Sequence, residues 1–184
     1  MRIISGNYRG KKLYAFDGRK IRPTADRLRE AVFNILSSLV QDAVVLDLFA
    51  GTGAFGLEAV SRGARSAVFI DNHTDAIRLV KKNIHACGVA ALTRVVKWDI
   101  ARNLKCLKGI RPGFDLVFLD PPYDKNLIRP ALLHLHASNA VQTAAHMVIE
   151  HSFDEPLPHD LDCFSMVDQR KYGKSLVSFF RYMV

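Results

Sequence analysis

Cysteine pairs, export signals and membrane-length apolar runs are all missing from this 184-residue sequence. Cys87, Cys106 and Cys163 are odd in number, scattered and without CxxC spacing. They exclude a disulfide frame or a cysteine metal site and read as reduced thiols in a reducing compartment. The longest apolar runs are strand-length, far short of a membrane span. The opening MRIISGNYRGKK has no apolar stretch of the kind that marks a signal peptide. A cytoplasmic protein with no membrane association is therefore expected. Repeats, low-complexity tracts and Gly/Ser linkers are lacking too, so residues 1–184 are read as a single domain. Acids are the minority charge: 18 Asp and Glu face 26 Lys and Arg, for a net charge of +8. The excess is concentrated at the start, with nine basic residues against two Asp in residues 1–29. A polyanionic partner, nucleic acid first, suits that distribution.

What is present is an alternation. TADRLREAVFNILSSL (24–39) sets Leu28, Val32, Ile35 and Leu39 at helical spacing, with Thr24 as an N-cap candidate behind Pro23. AVVLDLF, SAVFID, TRVVKWD, FDLVFLD and HMVIEHS read as strands. AFGLEAVSRG, HTDAIRLVKKNIHACG and NLIRPALLHLHAS read as helices between them, although Pro130 sits in the first turn of the last. LDCFSMVDQRKYG and KSLVSFFRYMV read as a closing antiparallel pair, and RIISG with KKLYAF as a small hairpin outside the sheet. Buried strands alternating with amphipathic helices predict an α/β fold: a doubly wound, mostly parallel, seven-stranded sheet with an antiparallel C-terminal edge. Ligands of such a sheet bind beyond the carboxyl ends of the strands.

VVLDLFAGTGAFG places Gly51, Gly53 and Gly56 in a GxGxxG turn between strand and helix. Dinucleotide binding is the usual reading of that turn, but Asp47 stands inside the strand where an aliphatic residue is normal. Its carboxylate favours an α-amino group over a pyrophosphate. Asp47, Asp71, Asp99 and Asp120 follow one another at successive strand ends and face one crevice if the sheet is parallel. Asp71, 24 positions after Asp47, is spaced to accept from ribose hydroxyls, and Asp99 to take an adenine amino group. An amino acid, a ribose and an adenine without phosphate make S-adenosylmethionine (AdoMet). Phe49, Thr52, Asn72 and Ile100, beside these acids and glycines, complete the expected cofactor-binding set.

VLDLFAGTGAFGLEA, VFID and DLVFLDPPY resemble the successive motifs of class I AdoMet-dependent methyltransferases that modify exocyclic amines of bases. RIISGNYRGKKL, IRPTADRLREAVFNIL and RKYGKSLVSFF narrow the resemblance to the family that methylates guanine N2, at guanine 966, in 16S ribosomal RNA. The resemblance covers nearly the whole chain; one departure is Asp71, where relatives often carry Glu. It implies an rRNA (guanine-N2) methyltransferase, with the small ribosomal subunit or its assembly intermediate as partner and a monomer as the enzyme. It also implies that residues 1–23 form a basic RNA-binding extension. Arg9, Lys11, Arg22, Pro23, Thr24, Arg27, Lys171 and Tyr172 then face the RNA; basic residues interleaved with Tyr suit phosphate contact plus stacking on their own account.

FLDPPYD ends a buried strand with an acid, two prolines and a ring, none of which a core requires. A base amine is a poor nucleophile because its lone pair is delocalised into the ring. In-plane acceptors from Asp120 and the carbonyl of Pro121 would draw its N–H groups aside, with Pro122 stiffening the turn and Tyr123 stacking on the base. Guanine presents N1–H beside its amine, two donors together, which suits an acceptor-only carboxylate better than an amide. The rivals are an adenine-N6 DNA methyltransferase and a non-catalytic RNA-binding assembly factor. Against the second, glycine turn and DPPY are both intact. His134 and His136, at i and i+2, point to different faces of a helix, and no metal is expected. Trp98 either flanks the adenine or belongs to the core, the core reading being favoured, and the helix over 73–87 reads as purely structural with KKN on its wet side.

Overall fold

β1 (Val44–Leu48) is buried at all five positions, and β2 (Ser66–Asp71) and β4 (Phe114–Leu119) at all but one each. Strands without a wet face must be covered on both sides, and this requirement sets the architecture. The computed structural model describes residues 1–16, 23–158 and 160–184, with residues 23–25 as backbone only. Its seven strands include β3 (Thr93–Lys97), β5 (Val141–Ser152), β6 (Phe164–Tyr172) and β7 (Ser175–Tyr182), in the order β3-β2-β1-β4-β5-β7-β6. Strands β1 to β5 run parallel, and β7 runs against both of its neighbours. The doubly wound fold and its antiparallel C-terminal end are as expected from the sequence.

The chain winds outward from β1 through β2 to β3, then returns to place β4 on the other side of β1. That reversal opens a crevice at the carboxyl ends of β1 and β4. Two apolar cores lie on opposite faces of the sheet. One joins α1 (Pro23–Leu36), α2 (Ala54–Ser61) and α3 (Thr74–Cys87) to the sheet, and the other is closed by α4 (Ile128–Ala137) and the segment carrying Ile100, Leu104 and Leu107. Pro130 is accommodated in the first turn of α4, where its missing N–H has no partner to lose.

Four expectations change. In α1 the buried stripe is Leu28, Val32, Phe33 and Leu36, while Ile35 and Leu39 are exposed at 38% and 42%. The helix is rotated because Arg29, 2% exposed, belongs to its inner face and pairs with Glu58. The chain then leaves the helix at Ser37, which has a positive φ, so that Val40 turns inward instead of Leu39. Pro23 opens α1, so Thr24 lies within the helix and not ahead of it. β5 begins at Val141, five residues earlier than the HMVIEHS run, because a register shift against β4 absorbs the intervening residues.

The fourth concerns Asn83, which is fully buried instead of lying on the wet side of α3. Its Oδ1 accepts from Tyr14 N (2.7 Å), and its Nδ2 donates to Tyr14 O (3.1 Å) and to Thr52 O in the glycine turn (2.9 Å). Helix α3 is thus a clamp as well as a support. The amino-terminal hairpin, with Arg2 bridged to Lys12, lies outside the main sheet as expected. Glu58 of α2 fixes it from the other side: its carboxylate accepts from Ile4 N (2.7 Å), Ser5 N (3.0 Å) and Arg62 Nε (2.8 Å). A buried carboxylate with that many donors is satisfied. Residues 4 to 14 are thereby tied by hydrogen bonds to α2 and α3.

Candidate active site

The glycine turn is built by close approach. Gly53 has φ +76°, and a Cβ there would lie 2.5 Å from Val80 Cγ2. A Cβ on Gly56 would lie 2.4 Å from the Phe69 ring. The missing side chains let the first turn of α2 settle onto β1 and β2, where Gly56 N donates to Asp47 Oδ2 at 2.9 Å. Asp47 is 2% exposed. Burial pushes its carboxyl up to about 7; the Gly56 N–H works against the shift and the charge of Asp71 adds to it. A buried acid without a cation, facing a glycine turn, fits the ammonium of an amino-acid ligand.

Asp71 is also buried, and each of its oxygens already accepts one backbone donor: Gly51 N at 3.0 Å and His73 N at 2.8 Å. It therefore orients the glycine turn and keeps one further acceptor site on each oxygen. Beside it Asn72, Lys97, Trp98, Asp99, Arg102 and Asn103 line an open cavity. Trp98 is half-buried, packing against the core while also lining this cavity; its Nε1 donates to Asn103 O at 3.0 Å. Asp99 is half-buried and accepts from Ala101 N at 3.1 Å. Phe49 and Thr52 flank the turn, Phe49 with φ +57°. Ile100 has its side chain in the core, 1% exposed. His134 Nδ1 reaches the Ile100 carbonyl at 2.9 Å, whereas His136 Nδ1 meets Tyr182 Oη at 2.8 Å. The two rings have separate partners, and no metal-holding group of His, Cys, Asp or Glu occurs among the described residues.

The elbow after β4 forms the other wall. Pro121 is buried, whereas Asp120, Pro122 and Tyr123 present surface. Asp120 keeps exposed surface, yet the protein packed around it pushes its carboxyl well above the ordinary range, with the charges of Glu150 and then Asp47 adding to the shift. Tyr123 is anchored through its hydroxyl, 2.8 Å from Glu150 Oε1 and 2.6 Å from Ser175 Oγ. Ser152 Oγ donates to Asp124 Oδ1 at 2.8 Å, tying the elbow to the end of β5. Asp47 thus lies within electrostatic reach of both Asp71 and Asp120.

The final turn between β6 and β7 arrives next to this elbow through Ser175. Lys171 is exposed, with Nζ 4.9 Å from the centre of the Phe153 ring, and Tyr172 is half-buried against the core. Arg9 and Arg27 share a groove with Arg2, Asp26 and Glu30, and Lys11 is exposed on the same hairpin. Arg22 lies outside the described residues, and Pro23 and Thr24 contribute only their place at the start of α1. Sequence reasoning missed Glu58, Arg29 and Asn83, each of which has a partner 27 to 69 residues away. It also missed Glu150, which the criterion of an acid at each strand tip would have found in VIE.

The profile of the family described as "Conserved hypothetical protein 95" matches residues 1–181. Ribosomal RNA small subunit methyltransferase D of Escherichia coli K12 is 37% identical over 158 residues, covering 86% of this chain and 78% of that protein. The protein of the same name from Haemophilus influenzae is 35% identical, covering 85% of this chain and 81% of its own. The structure of a hypothetical protein from Thermus thermophilus superposes with a TM-score of 0.80 at 31% identity, over 100% of this chain and 99% of that one. A glycine turn, a DPPY elbow and a 3-2-1-4-5-7-6 sheet accordingly sit in a sequence matched almost from end to end, and the chain belongs to the Conserved hypothetical protein 95 family, with the class I methyltransferase fold.

Proposed function

We propose that this protein methylates the exocyclic N2 amine of a guanine in 16S ribosomal RNA, using AdoMet, in the small ribosomal subunit or its assembly intermediate. The observation that supports the reading is the elbow: Asp120 follows β4 directly, and its carboxyl feels the charge of Asp47, the buried acid of the glycine turn that is suited to an ammonium group. Asp47, the amides of the glycine turn, Asp71 and Asp99 match the amino, carboxylate, ribose and adenine parts of AdoMet. Bound there, AdoMet supplies a methyl group made electrophilic by its sulfonium.

The protein's own residues do the rest. Asp120 and the Pro121 carbonyl accept the amine's two N–H groups and so hold its plane. The lone pair then faces the incoming carbon, not the ring. The amine gains positive charge as it reacts, and a carboxylate beside it stabilises that charge more in the transition state than in the ground state. Asp120 also stands where the surplus proton can be received. Tyr123 offers its ring face to the base. The basic hairpin and the β6–β7 turn flank the crevice with phosphate-binding side chains. We read the enzyme as a cytoplasmic monomer.

The test is incubation with labelled AdoMet and unmodified small subunits, free 16S RNA and DNA, followed by nucleoside mass spectrometry. N2-methylguanosine in the RNA is expected; N6-methyladenine in DNA would replace this reading with a DNA methyltransferase. Reversing charge at Arg9 and Lys11 is expected to weaken RNA binding uniformly. It should also lower the slope of log affinity against log salt by about 0.7 per lost phosphate contact. An unchanged slope would remove the hairpin from the interface.

A further inference from the structure

A further acid stands on the strand next to Asp120. β4 and β5 run parallel with Leu119 opposite Ile149, so the next residues, Asp120 and Glu150, emerge side by side. Both line the same small cavity, with Phe55, Phe118, Val148 and Val177. No Lys or Arg pairs with either carboxylate among the described residues. Glu150 Oε1 accepts from the Tyr123 hydroxyl at 2.8 Å, and that hydroxyl meets Ser175 Oγ at 2.6 Å. If Tyr123 donates to Glu150, Ser175 donates to Tyr123, and every hydroxyl proton in the chain is used. Oε2 of Glu150 accepts no hydrogen bond from the described residues. Two adjacent carboxylates without a cation cost energy until donors arrive between them.

Resting on the guanine reading above, we propose that Glu150 is a specificity-determining residue of the acceptor site. One of its oxygens holds Tyr123, and the other joins Asp120 in an edge made only of acceptors. Guanine alone among the bases sets a ring N–H beside an exocyclic amine adjacent to it on the side away from O6, giving consecutive donors that satisfy both carboxylates. Adenine and cytosine place a ring acceptor beside the amine, which would face an anionic oxygen without a proton between them. Asp120 addresses the amine that reacts, and Glu150 reads the ring nitrogen next to it.

The sharpest test exchanges both partners. Glu150→Gln keeps a carbonyl for the Tyr123 hydroxyl but turns the free acceptor into a donor. Small subunits reconstituted with guanine or with 2-aminopurine at the target position separate the two roles. 2-Aminopurine keeps the N2 amine but carries an acceptor at N1. Wild type should prefer guanine, and in the Glu150→Gln variant the ratio of single-turnover rates, guanine over 2-aminopurine, should fall by at least roughly tenfold, the discrimination expected of one charged hydrogen bond. AdoMet affinity should be unchanged. Because the ratio is internal to one preparation, it holds even if the variant folds less completely. Tyr123→Phe, which removes only the tether, should slow both acceptors without moving the ratio. A ratio unaltered by Glu150→Gln, or moved equally by Tyr123→Phe, would overturn the inference. Wild-type product lacking N2-methylguanosine would instead overturn the guanine assignment itself.

Discussion

Asp120→Ala is expected to bind AdoMet with little change and to transfer its methyl group more slowly by a factor on the order of 10²–10³, the cost typical of losing one preorganised group at a developing charge. The two effects separate because the carboxylate lies on the acceptor side of the crevice. The ammonium site is proposed at Asp47 instead, which is fixed independently by Gly56 N. The fold should not suffer. Asp120 is crowded by the charges of Glu150 and Asp47, and burial is the largest cause of its raised pKa, so its removal relieves repulsion instead of breaking a pair. Wild-type single-turnover rates should rise with pH as Asp120 loses its proton, and the Ala variant should lose that rise. Calorimetric titration with AdoMet, beside single-turnover rates on unmodified subunits, checks each part. Near-normal turnover in the variant would remove Asp120 from the chemistry.

Asp47→Asn should give a protein that is more stable at pH 8 yet unable to hold AdoMet. The folded carboxyl titrates near 7 against an ordinary 3.8, so between those values the folded chain binds more protons than the unfolded one. Stability therefore falls as pH rises from about 4 to 7 and is level above. The difference corresponds to a ceiling of about 4 kcal/mol at neutral pH. The amide carries no such cost and can still accept from Gly56 N, although its own N–H₂ gives back part of the gain if it stays unpaired. A net increase on the order of 1–3 kcal/mol at pH 8, vanishing near pH 4, is expected in denaturant titrations. In the wild type, ligand ammonium requires the ionised acid. AdoMet affinity should therefore weaken about tenfold per pH unit below 7, with proton release from the carboxyl to buffer measurable in calorimetry. A variant that binds AdoMet normally would show that Asp47 serves only to anchor α2.

The sequence by itself determined the alternation of strands and helices, the glycine turn, the elbow, and four of the acids at strand tips. These are local facts: a period of two or 3.6, a residue without Cβ, a proline without N–H. It also carried the hairpin, which needed only two short extended runs. What it misjudged were the places where a polar side chain behaves as core. Arg29 turned α1 away from the face its aliphatic residues indicated, because its guanidinium meets Glu58 on another helix. Asn83 reads as solvent-facing beside two lysines, yet it bridges the hairpin to the glycine turn across 69 and 31 residues. Only the tertiary structure decided which acids became neighbours. The reversal of winding at β1 put Asp47 between Asp71 and Asp120, and the parallel register of β5 set Glu150 against Asp120. Charge interactions and desolvation depend on distance through space and on what excludes water. Chain order fixes neither, so the carboxyls acquire their chemistry only when the sheet assembles around them.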